Sequence, residues 1–444
     1  MQLRNMLNGK WLTVTGLSLV IAPLSFSHAV AQSSISDELQ ENVYCASGMN
    51  YSLTATSSYS DTPPPAGKKP FYINHYGSPS AFYLEQHERY DAPYRTLSRA
   101  DSLGKLTPLG RDVLRKLTLL HHTAHRLTGE LTEAGKRQAR ESIQQLGQRF
   151  PEMFTDETLV DGRSIVQRNC LLTLDESMVQ VSRLHHPMRF SSHASYRHQS
   201  WMNPQDEVLE NQRKDSLTRL DYARFVAHWP TDDARLVGQL FNDADYAWNM
   251  DATALSQQLF DVAGFMQFID ADDTDLYHLF TADDIHRHWL RRNAWAYLNY
   301  GGCLLSGGHQ HYSQRKPLVN LLHMGDSIAM LDKPVIHLRY TRQSVVMSLA
   351  CLLELDGYGV QTASLDSLEA LGWADYRIAP LGGSVMIVHY RSDKNDPDPL
   401  IRVLLNGREA RLPIQSDCAP YYHWKDVKRY YLRKLYVYAR ERNE

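Results

Sequence analysis

The chain has no excess of charge of either sign: 47 lysines and arginines stand against 50 aspartates and glutamates in 444 residues. That balance excludes a general nucleic-acid surface, which needs clustered basic excess. It leaves room for an anion pocket built from a few arginines. Cysteine is scarce. The five present (Cys45, Cys170, Cys303, Cys351 and Cys418) form no Cys-x-x-Cys pair and no Cys/His group of zinc type, so metal binding has no support. An odd count leaves at least one thiol unpaired within the chain. Cys351, inside the apolar run Leu349-Ala350-Cys351-Leu352-Leu353, reads as a buried free thiol. Beyond residue 31 no apolar run is long enough to span a bilayer, and no repeat of solenoid or propeller period is visible.

What is present begins with a processing segment. Arg4 and Lys10 give a positive start, Trp11 to Phe26 is mostly apolar, and Ala29-Val30-Ala31 has the small-x-small pattern of a signal-peptidase site. Residues 1–31 are therefore expected to be a signal peptide, with the mature chain starting near Gln32 and exported to a periplasm or secreted. An uncleaved membrane anchor is the alternative; Thr13, Thr15, Gly16 and Pro23 break the run it would need.

Residues 32–69 read as a loosely ordered polar arm, serine-rich first and then proline-rich through Thr62-Pro63-Pro64-Pro65-Ala66-Gly67. Phe71-Tyr72-Ile73 has the aromatic and β-branched character of a buried strand, and Gly77-Ser78-Pro79 stops it. Ala139, Ile143, Leu146 and Phe150 recur at helical spacing. Thr158-Leu159-Val160 predicts a second strand, followed by Asp161-Gly162-Arg163-Ser164 and a helix through Met178 and Leu184. From about His193 to Met324 the pattern is helical without strand-like alternation, as in an inserted α-domain. Val335 to Tyr340 is then a strand and Ser344 to Leu355 a helix. Ser384 to Tyr390 and Leu400 to Leu405 are strands, the second turning back at Asn406-Gly407. His423 to Arg442 reads as a basic amphipathic helix docked on the core rather than lying on a membrane.

The stretch Phe71 to Tyr83, FYINHYGSPSAFY, resembles the first catalytic segment of the histidine acid phosphatases, in their multiple inositol polyphosphate phosphatase (phytase-like) branch. There a strand ending His-Tyr and a small residue runs into Arg-His-Gly-Ser-Arg and then Tyr. Here His75-Tyr76-Gly77 runs into Ser78-Pro79-Ser80-Ala81-Phe82 and then Tyr83. Gly129 to Gly135, Phe150 to Phe154, Val160 to Ser164, Asn293 to Tyr297 and Leu404 to Ala410 resemble further landmarks of that family. The likeness covers nearly all of the mature chain. It implies an α/β histidine-phosphatase (phosphoglycerate-mutase-like) sandwich with an inserted α-helical domain. Residues 70–192 and 325–444 would form the α/β part and 193–324 the insertion.

The resemblance also implies which chemistry has changed. In the family the histidine of Arg-His-Gly attacks phosphorus. Flanking arginines stabilise the charge of the transition state, and a later Arg-Phe-Gly-His-Asp segment protonates the leaving alcohol. At the nucleophile position stands Pro79, and the motif arginines become Ser78 and Phe82. The second segment reads Arg339-Tyr340-Thr341-Arg342-Gln343, so Arg342 and Gln343 take the proton-donor positions. Loss of a nucleophile alone costs on the order of a millionfold in rate; here no catalytic residue of the motif is retained. His75 matches a histidine the family already has beside its nucleophile and reads as a packing residue. Ser78 and Ser80 read as turn formers without a base, and Arg197-His198 as a surface pair.

Two arginines remain as ligand-binding candidates. Arg163 matches the family's third phosphate-contacting arginine, and Arg342 stands at a helix start whose free N–H groups favour anions. Pairing with carboxylates is the plain alternative for both. No metal and no cofactor is implied. Three functions follow as expectations. The first is an exported pseudo-phosphatase that holds a phosphorylated small molecule such as an inositol phosphate. The second is an active phosphomonoesterase with a non-standard nucleophile. The third is a structural or interaction protein whose pocket Pro79 and Phe82 have closed.

Overall fold

A computed structural model describes residues 34–53, 61–184, 189–269 and 271–442; the signal peptide expected at 1–31 lies outside them. In chain order the main elements begin with helix α1 (Ile35–Glu41), strand β1 (Lys69–Gly77), and helices α2 (Glu88–Ser102), α3 (Pro108–Ala124) and α4 (Glu133–Arg149). Strand β2 (Leu159–Ser164), helix α5 (Arg168–Leu184) and strand β3 (Arg189–Ala194) come next. A long helical stretch includes α6 (Ala252–Phe265), α7 (Ala282–Tyr300) and α8 (Arg315–Ala329). The chain closes with β4 (Val335–Tyr340), α9 (Gln343–Leu352), β5 (Ser384–Arg391), β6 (Leu400–Leu405), β7 (Arg408–Ala410), β8 (Tyr421–His423) and α10 (Trp424–Glu441).

The strands make one mixed sheet in the order β3-β2-β4-β1-β5-β6-β7, with β8 also on β6. Strands β1 to β4 run parallel to one another, and β5 is antiparallel to β1. Strand β1 is buried from Pro70 to Gly77, as a strand covered on both faces must be. On one face Ile73, Ile336, Leu338 and Met386 pack against Ile143 and Leu146 of α4 and Leu174 and Met178 of α5. On the other, Ile387, Ile401 and Val403 meet Leu318, Leu321 and Leu322 of α8, Val346 of α9 and Trp424 and Tyr431 of α10. The fold is therefore an α/β sandwich beside a helical mass. The Asn406-Gly407 turn forms as its sequence predicts: both residues have positive φ, 52° and 78°, the geometry that suits the twist of a two-residue hairpin.

Three features depart from the sequence reading. The start of the arm is ordered: Ser34 caps α1 by accepting from Asp37 N, and a 3₁₀ turn runs over Val43–Asn50. Ile35, Leu39, Cys45 and Ala46 put it into the core, so a few well-spaced apolar side chains outweigh a polar composition. The α2–α3 hairpin packs on α6, with Leu97, Leu117 and Leu259 in one cluster, so part of the helical mass comes from before residue 192. Finally, β3 carries polar, largely exposed residues, because it is an edge strand held mainly by its backbone pairing to β2.

Candidate functional site

Because β1, β2 and β4 are parallel, Gly77, Ser164 and Tyr340 end them in register on one edge of the sheet. A ligand crevice in an open α/β sheet lies outside such carboxyl ends, where connections part in opposite directions. The segments after these strands are 78–83, 165–168 and 341–343, and the last two lead directly into α5 and α9.

The first loop is held through its backbone. Ser78 N donates to Gly383 O at 2.8 Å and its hydroxyl to Pro380 O at 2.7 Å. Pro79 is buried, and its carbonyl accepts from Gly382 N at 2.8 Å. Ser80 N donates to Thr173 Oγ1 of α5 at 3.1 Å. Ala81 N donates to Gln138 of α4 at 3.0 Å, and Phe82 bridges Leu131. A Cβ on Gly135 would stand 1.9 Å from the Ala81 carbonyl, so only glycine lets α4 press this closely against the loop. Neither serine hydroxyl meets a histidine or carboxylate among the described residues. His75 is 5% exposed, lies edge-on to Tyr340, and burial pushes it down to about 4. It is a neutral packing ring.

The second segment is equally committed. Thr341 N donates to Gly77 O at 2.9 Å and its hydroxyl to Met202 O at 2.6 Å. Gln343 Nε2 donates to the carbonyls of Met49 and Ala379, tying α9 to the N-terminal segment. Arg342 is exposed and donates to Gln167 Oε1 at 3.0 Å; among the described residues it has no carboxylate partner. Arg163 lies on a sheet face, where its Nε is 3.0 Å from Asp161 Oδ2 and its guanidinium stands 5.7 Å from the Trp201 ring centroid. Arg339, directly opposite on β4, donates to the same Asp161 oxygen at 2.8 Å and faces the same ring. Burial alone would raise the Asp161 carboxyl; Arg339 and Arg163 overcome this and hold it below the usual range. The two candidate arginines thus engage different partners, Asp161 and Gln167, and no hydrogen bond joins them.

With this geometry the chain aligns along most of its length with solved phytase-like enzymes. The multiple inositol polyphosphate phosphatase of Bifidobacterium longum in complex with phosphate matches at a TM-score of 0.70 and 15% identity, over 86% of this chain and 97% of that one. The same enzyme with inositol hexasulfate gives 0.65 at 14% identity, with the same coverage of both chains. The phytase from D. castellii gives 0.63 at 11% identity, covering 89% of this chain and 86% of that one. The chain has the histidine acid phosphatase fold. No family model matches the sequence, and no curated relative matches it.

Within the histidine-phosphatase fold, the carboxyl edge of the parallel strands carries groups that the motif reading passed over. Arg168 begins α5, is exposed, and donates to Thr128 O at 2.6 Å. Asn169 beside it is 1% exposed, and both its amide atoms lack a hydrogen-bond partner. The first turn of α5 and the start of α9 lie together here, linked by Gln167 to Arg342. Position alone signalled Arg168: it opens a helix just after a parallel strand, where N–H groups are free.

Proposed function

We propose that this chain is an exported, catalytically inactive relative of the inositol polyphosphate phosphatases that holds a phosphorylated small molecule without cleaving it. The observation that carries this reading is the use made of the two reaction positions. Pro79 offers no nucleophile and its carbonyl is bound to Gly382. Gln343 cannot deliver a proton as an acid does, and its amide is bound to Met49 and Ala379. Attack on phosphorus and protonation of the leaving group therefore both lack an agent. What remains suits an anion: Arg342 and Arg168, both exposed, flank two helix starts whose N–H groups favour negative charge. The Bifidobacterium enzyme solved with phosphate and with inositol hexasulfate supports the same ligand class.

The test has two arms on the full mature chain. Hydrolysis of p-nitrophenyl phosphate and of inositol hexakisphosphate is expected to equal a buffer blank; turnover above it, lost in Arg163→Ala, overturns the inactive reading. Thermal unfolding with millimolar inositol hexakisphosphate is expected to shift upward, since a ligand of the native state stabilises it, and to lose most of the shift in Arg342→Ala. No shift in the wild type leaves the closed-pocket interaction protein as the better reading.

A further inference from the structure

At the opposite edge of the sheet, far along β5 and β6 from the Gly77 edge, a second group of reactive side chains meets. Strand β8 pairs with the start of β6, placing His423 beside Leu400. Leu400 in turn pairs with Tyr390, whereas Gly77 pairs with Ser384 at the other end of β5. His423 Nδ1 is 2.7 Å from Asp398 Oδ2, and its Nε2 is 2.9 Å from Asp417 Oδ1. The Cys418 thiol stands beside this pair and lies 3.5 Å from both Tyr421 O and Ser416 Oγ. One carboxylate oxygen of Asp417, Cys418 Sγ and a ring nitrogen of His423 all lie within 4.8 Å of one another. Three potential ligand atoms thus converge on one point of the surface.

This is the donor set of a zinc-type centre: a soft sulfur, an imidazole nitrogen and a carboxylate oxygen. The Asp398 contact to Nδ1 supplies what such histidines usually have, a carboxylate that fixes the ring and leaves Nε2 for the ion. Asp417 is 82% exposed at its side chain, so a water can reach a fourth position. We infer that Asp417 Oδ1, Cys418 Sγ and His423 Nε2 bind a thiophilic divalent cation of the zinc class, with Asp398 as the positioning residue. Binding replaces two protons: one leaves the imidazolium Nε2 and one leaves the thiol. The dication, the thiolate, the Asp417 carboxylate and the neutral imidazole then sum to zero charge, without any change of redox state. The spacing hides this group from sequence inspection, because Cys418 and His423 are separated by a turn and Asp398 comes from before β6.

Cys418 is also the one cysteine of the five that is not buried, which makes the test selective. Under native conditions a thiol reagent should label Cys418 alone, and saturating zinc sulfate should slow that labelling at least tenfold. Cobalt(II) added to the metal-free full-length protein should give a near-ultraviolet sulfur-to-cobalt charge-transfer band. The band should vanish in Cys418→Ser, and Asp398→Asn should weaken cobalt binding by about ten- to a hundredfold. Labelling unaffected by zinc, together with no such band in folded wild-type protein, overturns the inference. A zinc-induced rise in Tm that survives Cys418→Ser also counts against it, because it would place the ion elsewhere. The wild-type arms decide the matter even where a variant fails to fold.

Discussion

Gln343 Nε2 donates to the carbonyl of Met49, 294 residues away in the chain. The position that the family resemblance assigns to a proton donor serves instead as a tie between α9 and the N-terminal segment, with Ala379 O as a second acceptor at 3.2 Å. Gln343→Ala is expected to cost about 1–3 kcal/mol, two hydrogen bonds plus two carbonyls left without them. Urea unfolding measures the loss, and amide exchange should rise at Cys45 to Ser47. Unchanged exchange there would mean the tie does not hold the segment.

Restoring the nucleophile alone should fail. In Pro79→His, with or without Ser78→Arg, p-nitrophenyl phosphate hydrolysis is expected to stay at the blank, because the position is buried and Gln343 still supplies no acid. Measurable turnover would show that the frame lacked only one residue.

Asp161 neutralises two guanidinium groups, and Arg339 is only 3% exposed. Asp161→Ala should therefore destabilise the protein by about 3 kcal/mol, near the low end for a broken buried pair because the carboxylate keeps some solvent. The double variant Asp161→Leu with Arg339→Met should recover most of that loss. A double variant no better than the single one would mean that packing, not charge, sets the cost.

Asp375 gives stability a pH dependence. Burial pushes its carboxyl up to about 6, although Met49 N, Tyr376 N and Trp289 Nε1 all donate to it. A raised folded value means the folded state prefers the protonated form. The contribution is complete below about pH 4, the ordinary range of the unfolded carboxyl, and is lost as pH rises through 6. Two pK units correspond to at most about 3 kcal/mol. Wild-type urea midpoints should fall between pH 4 and pH 7, and the fall should flatten in Asp375→Asn; an equal slope in both proteins removes Asp375 as its cause.

The sheet was legible because its strands carry local signals: the aromatic and β-branched run at Phe71 to Ile73, and the Asn406-Gly407 turn. Strand β3 was not, since an edge strand needs backbone partners more than apolar side chains. The order of residues 35–50 escaped because Ile35, Leu39, Cys45 and Ala46 are too few to dominate a composition window, yet they suffice once a core receives them. At the candidate site the altered residues were readable from motif positions. Their partners were not, because Met49, Ala379 and Gly382 lie far from them in the chain. Arg163 shows the same limit: nothing in its spacing reveals that Arg339 shares its carboxylate.

The place of β1 in the sheet also bears on how the chain reaches its native state. This strand is the first of the sheet to be synthesised, yet its two neighbours are β4 and β5, from residues 335–340 and 384–391. Until those arrive, β1 has no strand to pair with and exposes two apolar faces. Such pairing across long sequence separations closes slowly, and an unpaired apolar strand invites aggregation while it waits. A ribosome-bound fragment ending anywhere before β4 cannot build the centre of this sheet. Assembly of the edge where Gly77, Ser164 and Tyr340 meet must therefore be a late event, since it waits for β4.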